Sequence, residues 1–547
     1  MKRRNFLRKL PLLAGAPMML NSIPIQAMAR NSELHRLAAS SLNDKVLVLI
    51  QLHGGNDGLN MLVPIDQYAS YYNMRPNIAI PETGNRSYLN LDSTLPVQDQ
   101  VGVHPDMLDL KALYDEARVN IVQSVAYENI NGSHFRSRDI WFMGGDYDEY
   151  KDSGWMGRYL DHVFPGYPDD YPNPDMPDPL AIEIGSSVSL AFHTGKGIPA
   201  SLSINNPNRF YDLITTTGGE PPESIKNSHY GEELRWIMGM EEKSDKYADR
   251  LYEIWQNTSE PNVTYPEQYP MIAPSGIRRN GLAQQLKMIA RLLSGGIKTK
   301  IFLARIGGFD THASQVEASN PTYGLHAALL YHIGSAMRAF QKDLKDRGIE
   351  DRVLSMTFSE FGRRAESNGS YGTDHGKAAP MLVFGKGVNP GITGTNPDLN
   401  NLDRGNVRMQ YDYRQVFTSA LIDWLEADPD AVAATEFSEW SDNRLPLIGG
   451  RVTGVTNDFI KKRWGLKSCY PNPVQTQTVI GFRINAATDV KIDLLDVKGS
   501  KVSTLIHKKY SPGEHSEQID LSQLPSGTYF YRLKTPQFTE SKQLIKM

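Results

Sequence analysis

Cysteine is nearly missing: 547 residues contain one, Cys469. That excludes an intrachain disulfide framework, a cysteine-rich zinc site and a cysteine nucleophile in the body of the chain. Any metal must be held by His, Asp, Glu and hydroxyl groups. Long hydrophobic runs are missing too. No stretch approaches the roughly 18 apolar residues that would span a bilayer, so no transmembrane segment is expected. Neither charge sign dominates, with 58 Lys and Arg against 62 Asp and Glu and a net charge of −4. A nucleic-acid binder would show a basic field, so a nucleic-acid partner is excluded. A disordered composition is absent as well, since 40% of residues are hydrophobic and 22% charged.

What is present points to a loop-rich enzyme body, with 26 Tyr, 45 Gly and 33 Pro. The length exceeds one ordinary core and predicts two or three domains. The start reads as an address. A basic segment from Met1 to Lys9, an apolar stretch from Leu10 to Leu20 and a small-residue end at Ala29 spell a signal peptide over 1–29. Pro11, Gly15 and Pro17 interrupt the apolar stretch. Arg3-Arg4-Asn5-Phe6-Leu7 looks like a twin-arginine signal, and a Sec signal that begins with two arginines is the alternative. Export follows from either.

From 45 to 465, short apolar runs alternate with longer amphipathic ones, which predicts one sheet covered by helices. Strands are expected at 46–52, 119–125, 299–305, 353–358 and 380–384, and helices at 107–118, 281–293 and 329–344. This rhythm implies a three-layer α/β/α domain with a mainly parallel sheet. The stretch 147–274, rich in Pro, Tyr, Asn and Asp, reads as an insertion or cap.

Groups capable of chemistry cluster at strand ends. Asp57 follows the first strand within His53-Gly-Gly-Asn-Asp-Gly58, and Ser133-His134 follow the second. Asp310 and His312 follow the strand ending at Arg305, Glu360 follows Phe358, and Asp374-His375 precede the strand at Pro380. In open parallel sheets, ligands bind beyond the carboxyl ends of the strands, so these loops should share one rim. Carboxylates with imidazoles and no thiolate suit a divalent cation. Each signal has a plain alternative: a turn for the Gly-Gly-Asn-Asp-Gly string, a helix cap for Ser133, a solvated charge for Glu360.

Five strings then resemble a known bacterial family: Leu52-His-Gly-Gly-Asn-Asp-Gly-Leu-Asn60, Ser133-His-Phe-Arg-Ser-Arg-Asp-Ile-Trp141, Gly308-Phe-Asp-Thr-His312, Ser359-Glu-Phe-Gly-Arg363 and Gly372-Thr-Asp-His-Gly376. They are similar to domain of unknown function 1501, a family that looks like a branch of the alkaline phosphatase and sulfatase superfamily. The resemblance implies an alkaline phosphatase-like fold and a metal-dependent hydrolase of phosphate or sulfate esters. It implies metal ligation by Asp57, Asp310, His312, Glu360, Asp374 and His375, with zinc first and manganese or calcium as the other candidates. It implies Ser133 as nucleophile, with His134, Arg136 and Arg363 serving the leaving group or the anion. Where the superfamily shows Asp-His, this chain has Glu360-Phe361, and Phe361 argues for a binding protein that has kept the fold without catalysis.

After Trp464 the texture changes to short alternating strands between turns, which predicts a small all-β sandwich over 470–547. Tyr470-Pro-Asn-Pro473, Asp496-Val-Lys-Gly499 and Leu524-Pro-Ser-Gly-Thr-Tyr529 resemble the sorting domain of the type nine secretion system. That resemblance implies the export and type nine machineries as partners and an outer-membrane surface or extracellular location. The expected substrate is a small-molecule or glycan ester.

Overall fold

The computed structural model describes residues 19–20, 23–24, 43–185, 188–208, 245–449, 465–484, 488–497, 499–511, 513–535 and 539–547. The signal-peptide reading of 1–29, with Arg3 and Arg4, therefore lies almost wholly outside the described residues.

The first strand, β1 (Val46–Leu52), is buried at every position. It can be apolar on both faces because helices cover both sides of the sheet. Val46, Val48, Ile50 and Leu52 pack into one core with helices α1 (Leu108–Asp115), α4 (Gly281–Ser294) and α5 (Leu325–Asp346). Leu47 and Leu49 pack into the other core with α2 (His134–Met143), α3 (Trp155–Val163) and α6 (Tyr413–Ser419). Alternation along one strand thus builds a three-layer α/β/α body.

The other strands of the main sheet are β2 (Val119–Ala126), β3 (Ala181–Ile184), β4 (Leu202–Ile204), β5 (Ile301–Ile306), β6 (Val353–Phe358), β7 (Ala379–Phe384), β8 (Gly391–Thr393) and β9 (Tyr411–Asp412). They join β1 in a nine-stranded sheet of order β8-β2-β7-β6-β1-β5-β3-β4, with β9 also on β2. The sheet is mainly parallel. Its one reversed strand is β7, antiparallel to both β6 and β2. The reason is the connection: loop 359–378 links β6 to its neighbour without a crossover helix, and a parallel partner would need one. The reversal puts the amino end of β7 at the same rim as the carboxyl ends of β1, β2, β5 and β6.

The 147–274 stretch differs from the expected insertion or cap. It supplies α3 and also β3, which pairs parallel to β5, and β4, which pairs parallel to β3, so the two extend the main sheet. Its Pro- and Asp-rich composition hid strands of four and three residues.

From Gly465 onward the described strands pair among themselves, in two antiparallel sheets. One has the order β10 (Gly465–Leu466), β11 (Gln477–Ile484), β14 (Gly513–Asp520). The other runs β13 (Lys501–Tyr510), β12 (Thr488–Leu495), β15 (Gly527–Lys534), β16 (Thr539–Lys546). Ile480, Phe482, Val490, Ile492, Leu494, Tyr531 and Leu533 fill a common core, which makes the unit a sandwich. Among the described residues, no helix is long and apolar enough to cross a membrane.

Candidate metal centre

Gly54, in the turn after β1, lets two rim loops touch. It has φ +125°, and a Cβ there would lie 2.2 Å from the backbone nitrogen of Asp310. Gly372 does the same for the next pair, since its Cβ would sit 2.4 Å from the carbonyl oxygen of His312. A side chain at either position would push the loops apart.

Three groups converge between these loops. One ligand atom each from His134, Asp310 and His375 lies within 4.8 Å of the others. His134 opens α2, Asp310 follows β5, and His375 precedes the reversed strand β7. His312 adjoins them, with its Nε2 2.9 Å from Nε2 of His375 and 3.4 Å from Asp310 Oδ1.

Each imidazole is held from behind. Nδ1 of His375 lies 2.7 Å from the carbonyl oxygen of Gly132. A carbonyl only accepts, so Nδ1 carries the proton and the Nε2 lone pair faces the site. Nδ1 of His134 lies 2.9 Å from Glu360 Oε1, and Nδ1 of His312 lies 3.3 Å from Asp374 Oδ1. Both partners are carboxylates, so the same tautomer follows. Such backing by an oxygen acceptor is how metal-binding histidines are oriented.

Glu360 is fully buried and also accepts from the Gly54 amide at 2.8 Å. Its hydrogen bond to His134 raises that imidazole's pKa, against the effect of burial. His375 moves the other way, because burial disfavours its charged form. For Asp310, burial pushes the pKa up, but the Arg363 hydrogen bond and charge outweigh it and hold the carboxyl below its ordinary value. Phe361 packs its ring 4.9 Å from His134 and 4.5 Å from His375, forming an apolar wall.

The fit to a cation rests on two observations. Nε2 of His134 is buried, with no hydrogen-bond partner among the described residues. It points toward Asp310 Oδ2 at 3.4 Å. The facing Nε2 atoms of His312 and His375 would repel through their lone pairs unless something positive lies between them. Nitrogen ligands about 2.0–2.1 Å from a tetrahedral zinc stand roughly 3.3 Å apart, close to the spacing seen. The donors present fit a divalent ion.

The other residues expected at the site stand elsewhere in the network. Asp57 is buried, and its two oxygens each accept from Arg75 Nη1 at 2.8 Å. Gln315 Nε2 donates to Asp57 Oδ2 at 2.6 Å. Glu360 and Asp374 face the backs of His134 and His312. Ser133 caps α2, its Oγ accepting from the Arg136 amide at 3.5 Å, and no base hydrogen-bonds to it among the described residues. Arg136 donates to the carbonyls of Tyr147 and Glu149 and stacks 3.8 Å over Tyr150. Arg363 is buried and donates to the carbonyls of Gly54, Gly55, Phe309 and Thr373 and to Asp310 Oδ1. The structure therefore brings together Asp310, His312 and His375, and adds His134 in a ligand-like place. The signal for His134 was its position as the first residue of a helix that starts at the rim.

Residues 242–418 match the family described as protein of unknown function (DUF1501), and residues 468–547 match the secretion system C-terminal sorting domain. The chain carries a DUF1501 segment and a sorting domain. Asp310, His312, Glu360, Arg363, Asp374 and His375 fall inside the DUF1501 segment, whereas Asp57, Ser133 and His134 precede it. The sorting domain marks the chain for export to the cell surface. None of the curated proteins matches the chain. Similar solved structures include a protein in the alkaline phosphatase superfamily from Vibrio parahaemolyticus, at 10% identity, covering 96% of this chain and 91% of that one, with a TM-score of 0.31. The PsFucS1 sulfatase from Pseudoalteromonas sp. is 10% identical over 90% of this chain and 88% of that one, with a TM-score of 0.30. The alkaline phosphatase from the Antarctic bacterium TAB5 is 10% identical over 63% and 93%, with a TM-score of 0.24. Identity this low leaves the chemistry to be read from this chain's own side chains.

Proposed function

We propose that this exported chain is a metal-dependent hydrolase acting on a phosphate or sulfate ester. The observation that carries the reading is the convergence of His134, Asp310 and His375, with His312 beside them and an oxygen acceptor behind each imidazole. An imidazole-rich set with one carboxylate suits zinc, with manganese next. It argues against calcium, which takes about six to eight oxygens. A divalent ion there supplies Lewis acidity toward an ester oxygen and acidifies a nearby water.

The chain's own residues do the positioning. Glu360, Asp374 and the Gly132 carbonyl fix three imidazoles in one tautomer. Phe361 keeps water from one wall. The Asp310 side chain is half exposed and the His312 side chain nearly so, which leaves an open side for a small-molecule or glycan ester. Arg363 has its donors engaged by protein oxygens and so is not free to clamp a substrate anion, whereas Arg136 has only Nη2 engaged by carbonyls. Among the described residues no base hydrogen-bonds to Ser133, which favours attack by water.

The test uses the purified full chain. Bound divalent ion is measured by elemental analysis. Turnover of 4-nitrophenyl phosphate and 4-nitrophenyl sulfate is then followed before chelation, after it, and after zinc is restored. Near-stoichiometric ion with chelator-sensitive turnover supports the reading, and absence of any bound ion overturns it. A second reading, a cell-surface binding protein without catalysis, draws on Phe361, which offers no donor where the resemblance implies a histidine. Stoichiometric ion without turnover of either ester would favour it.

A further inference from the structure

Gln315 lies outside every motif discussed so far, yet its side chain joins three rim loops. It is fully buried. Its Nε2 donates to Asp57 Oδ2 at 2.6 Å, and a carboxylate can only accept, so the amide orientation is fixed. Oε1 must then face the opposite way. There it accepts from Thr311 Oγ1 at 2.8 Å and from Thr373 Oγ1 at 3.0 Å. Thr311 stands between Asp310 and His312, and Thr373 stands two residues before His375. The Thr373 amide also donates to the Thr311 carbonyl at 3.0 Å.

We infer that Gln315 is a positioning residue. By tying Thr311 and Thr373 to the Asp57–Arg75 pair, it sets the spacing between the loop that presents Asp310 and His312 and the loop that presents His375. This rests on the proposed metal centre and deepens it by assigning Asp57 a role through Gln315. Asp57 does not need Gln315 for charge balance, because Arg75 already meets both of its oxygens. The amide's other contacts are the two threonines. Its distinctive effect therefore falls on loop spacing, and the 2.9 Å between His312 and His375 is the distance it controls.

The experiment strips the full chain with a chelator and titrates it with cobalt(II). The visible ligand-field bands report donor geometry, competition gives the affinity, and the melting temperature of the metal-free chain reports folding. Gln315→Met, which keeps the volume and removes the hydrogen bonds, should weaken cobalt binding about 10–100-fold and shift the bands. Thr373→Val should act in the same direction, whereas Thr373→Ser, which keeps the hydroxyl, should bind like the unmodified chain. Combining Gln315→Met with Thr311→Val and Thr373→Val should cost no more than about twofold beyond Gln315→Met alone, since both sets break the same link. Unchanged affinity and bands in Gln315→Met and Thr373→Val, or fully additive losses in the combination, would overturn the inference while leaving the metal centre standing. An unmodified chain that binds no cobalt would overturn both.

Discussion

The ring nitrogens of His312 and His375 face each other 2.9 Å apart, and each ring turns its other nitrogen toward an oxygen acceptor. Neither imidazole can swing aside without breaking its rear hydrogen bond. Replacing His375 by Ala should therefore abolish stoichiometric metal binding while shifting the melting temperature of the metal-free chain little, since the ring is partly exposed. Elemental analysis and calorimetry on the same sample check both halves.

Glu360 backs His134, the hydrogen bond joining its Oε1 to Nδ1 of the ring. Glu360→Gln keeps the shape and an oxygen acceptor but removes the charge that polarises the imidazole. Zinc affinity should fall about 10–100-fold, as for other groups that back a metal-binding histidine. A competition titration against a chromophoric chelator measures it.

Asp57 predicts a stability effect. The pair with Arg75 is almost completely buried, and Asp57→Ala leaves an uncompensated guanidinium inside, at a cost of about 3–5 kcal/mol. Burial pushes the Asp57 carboxyl up, but the charges of Arg75 and His326 and the hydrogen bonds outweigh it, so its folded pKa lies below the ordinary 3.8. The unfolded chain thus binds the proton first. The contribution is full above about pH 4 and is lost as pH falls through the folded value. Urea unfolding at pH 6 and pH 3 should show the gap between unmodified chain and Asp57→Ala narrowing at the lower pH.

Ser133→Ala separates a cap from a nucleophile. The hydroxyl is exposed, and its capping bond is long at 3.5 Å. The substitution should cost about 0.5–1 kcal/mol of stability. Turnover of an aryl ester should stay within a small factor of the unmodified rate. Loss of all turnover with metal content intact would restore the serine as nucleophile.

The sorting domain predicts a location. Phe482→Ala opens a hole in the sandwich core and should cost that unit about 3–5 kcal/mol. Cells carrying this variant should retain more of the chain inside the outer membrane, measured by fractionation and surface protease treatment.

The central strands were legible because β1 and β5 are dominated by apolar runs and β6 sets Val353, Leu354, Met356 and Phe358 around two small hydroxyl residues, patterns that buried strands can hardly avoid. The edges were harder to read. β3 and β4 are only four and three residues long and lie in a Pro-rich stretch. β13 runs to Tyr510 through His507, Lys508 and Lys509, an exposed polar stretch in which a hydrophobic pattern shows no strand. At the site, residue type and strand-end position singled out Asp310, His312 and His375, which the structure brings close together. They could not tell a carboxylate that faces the imidazole cluster from one that stands behind a ring, which is the difference between Asp310 and Glu360. That distinction depends on which loops touch, and Gly54 and Gly372 decide it in three dimensions.

The reversal of β7 makes 359–378 a flap fastened at both ends to adjacent strands, while His134 sits across from it on a separate helix. An ion shared by His134 and His375 would work like a buckle, closing the flap against the helix. Losing the ion would open the door and leave the frame upright. For a protein that its sorting domain marks for the cell surface, this would divide the labour: the sheet would carry the shape, and the clasp would shut wherever the ion is met.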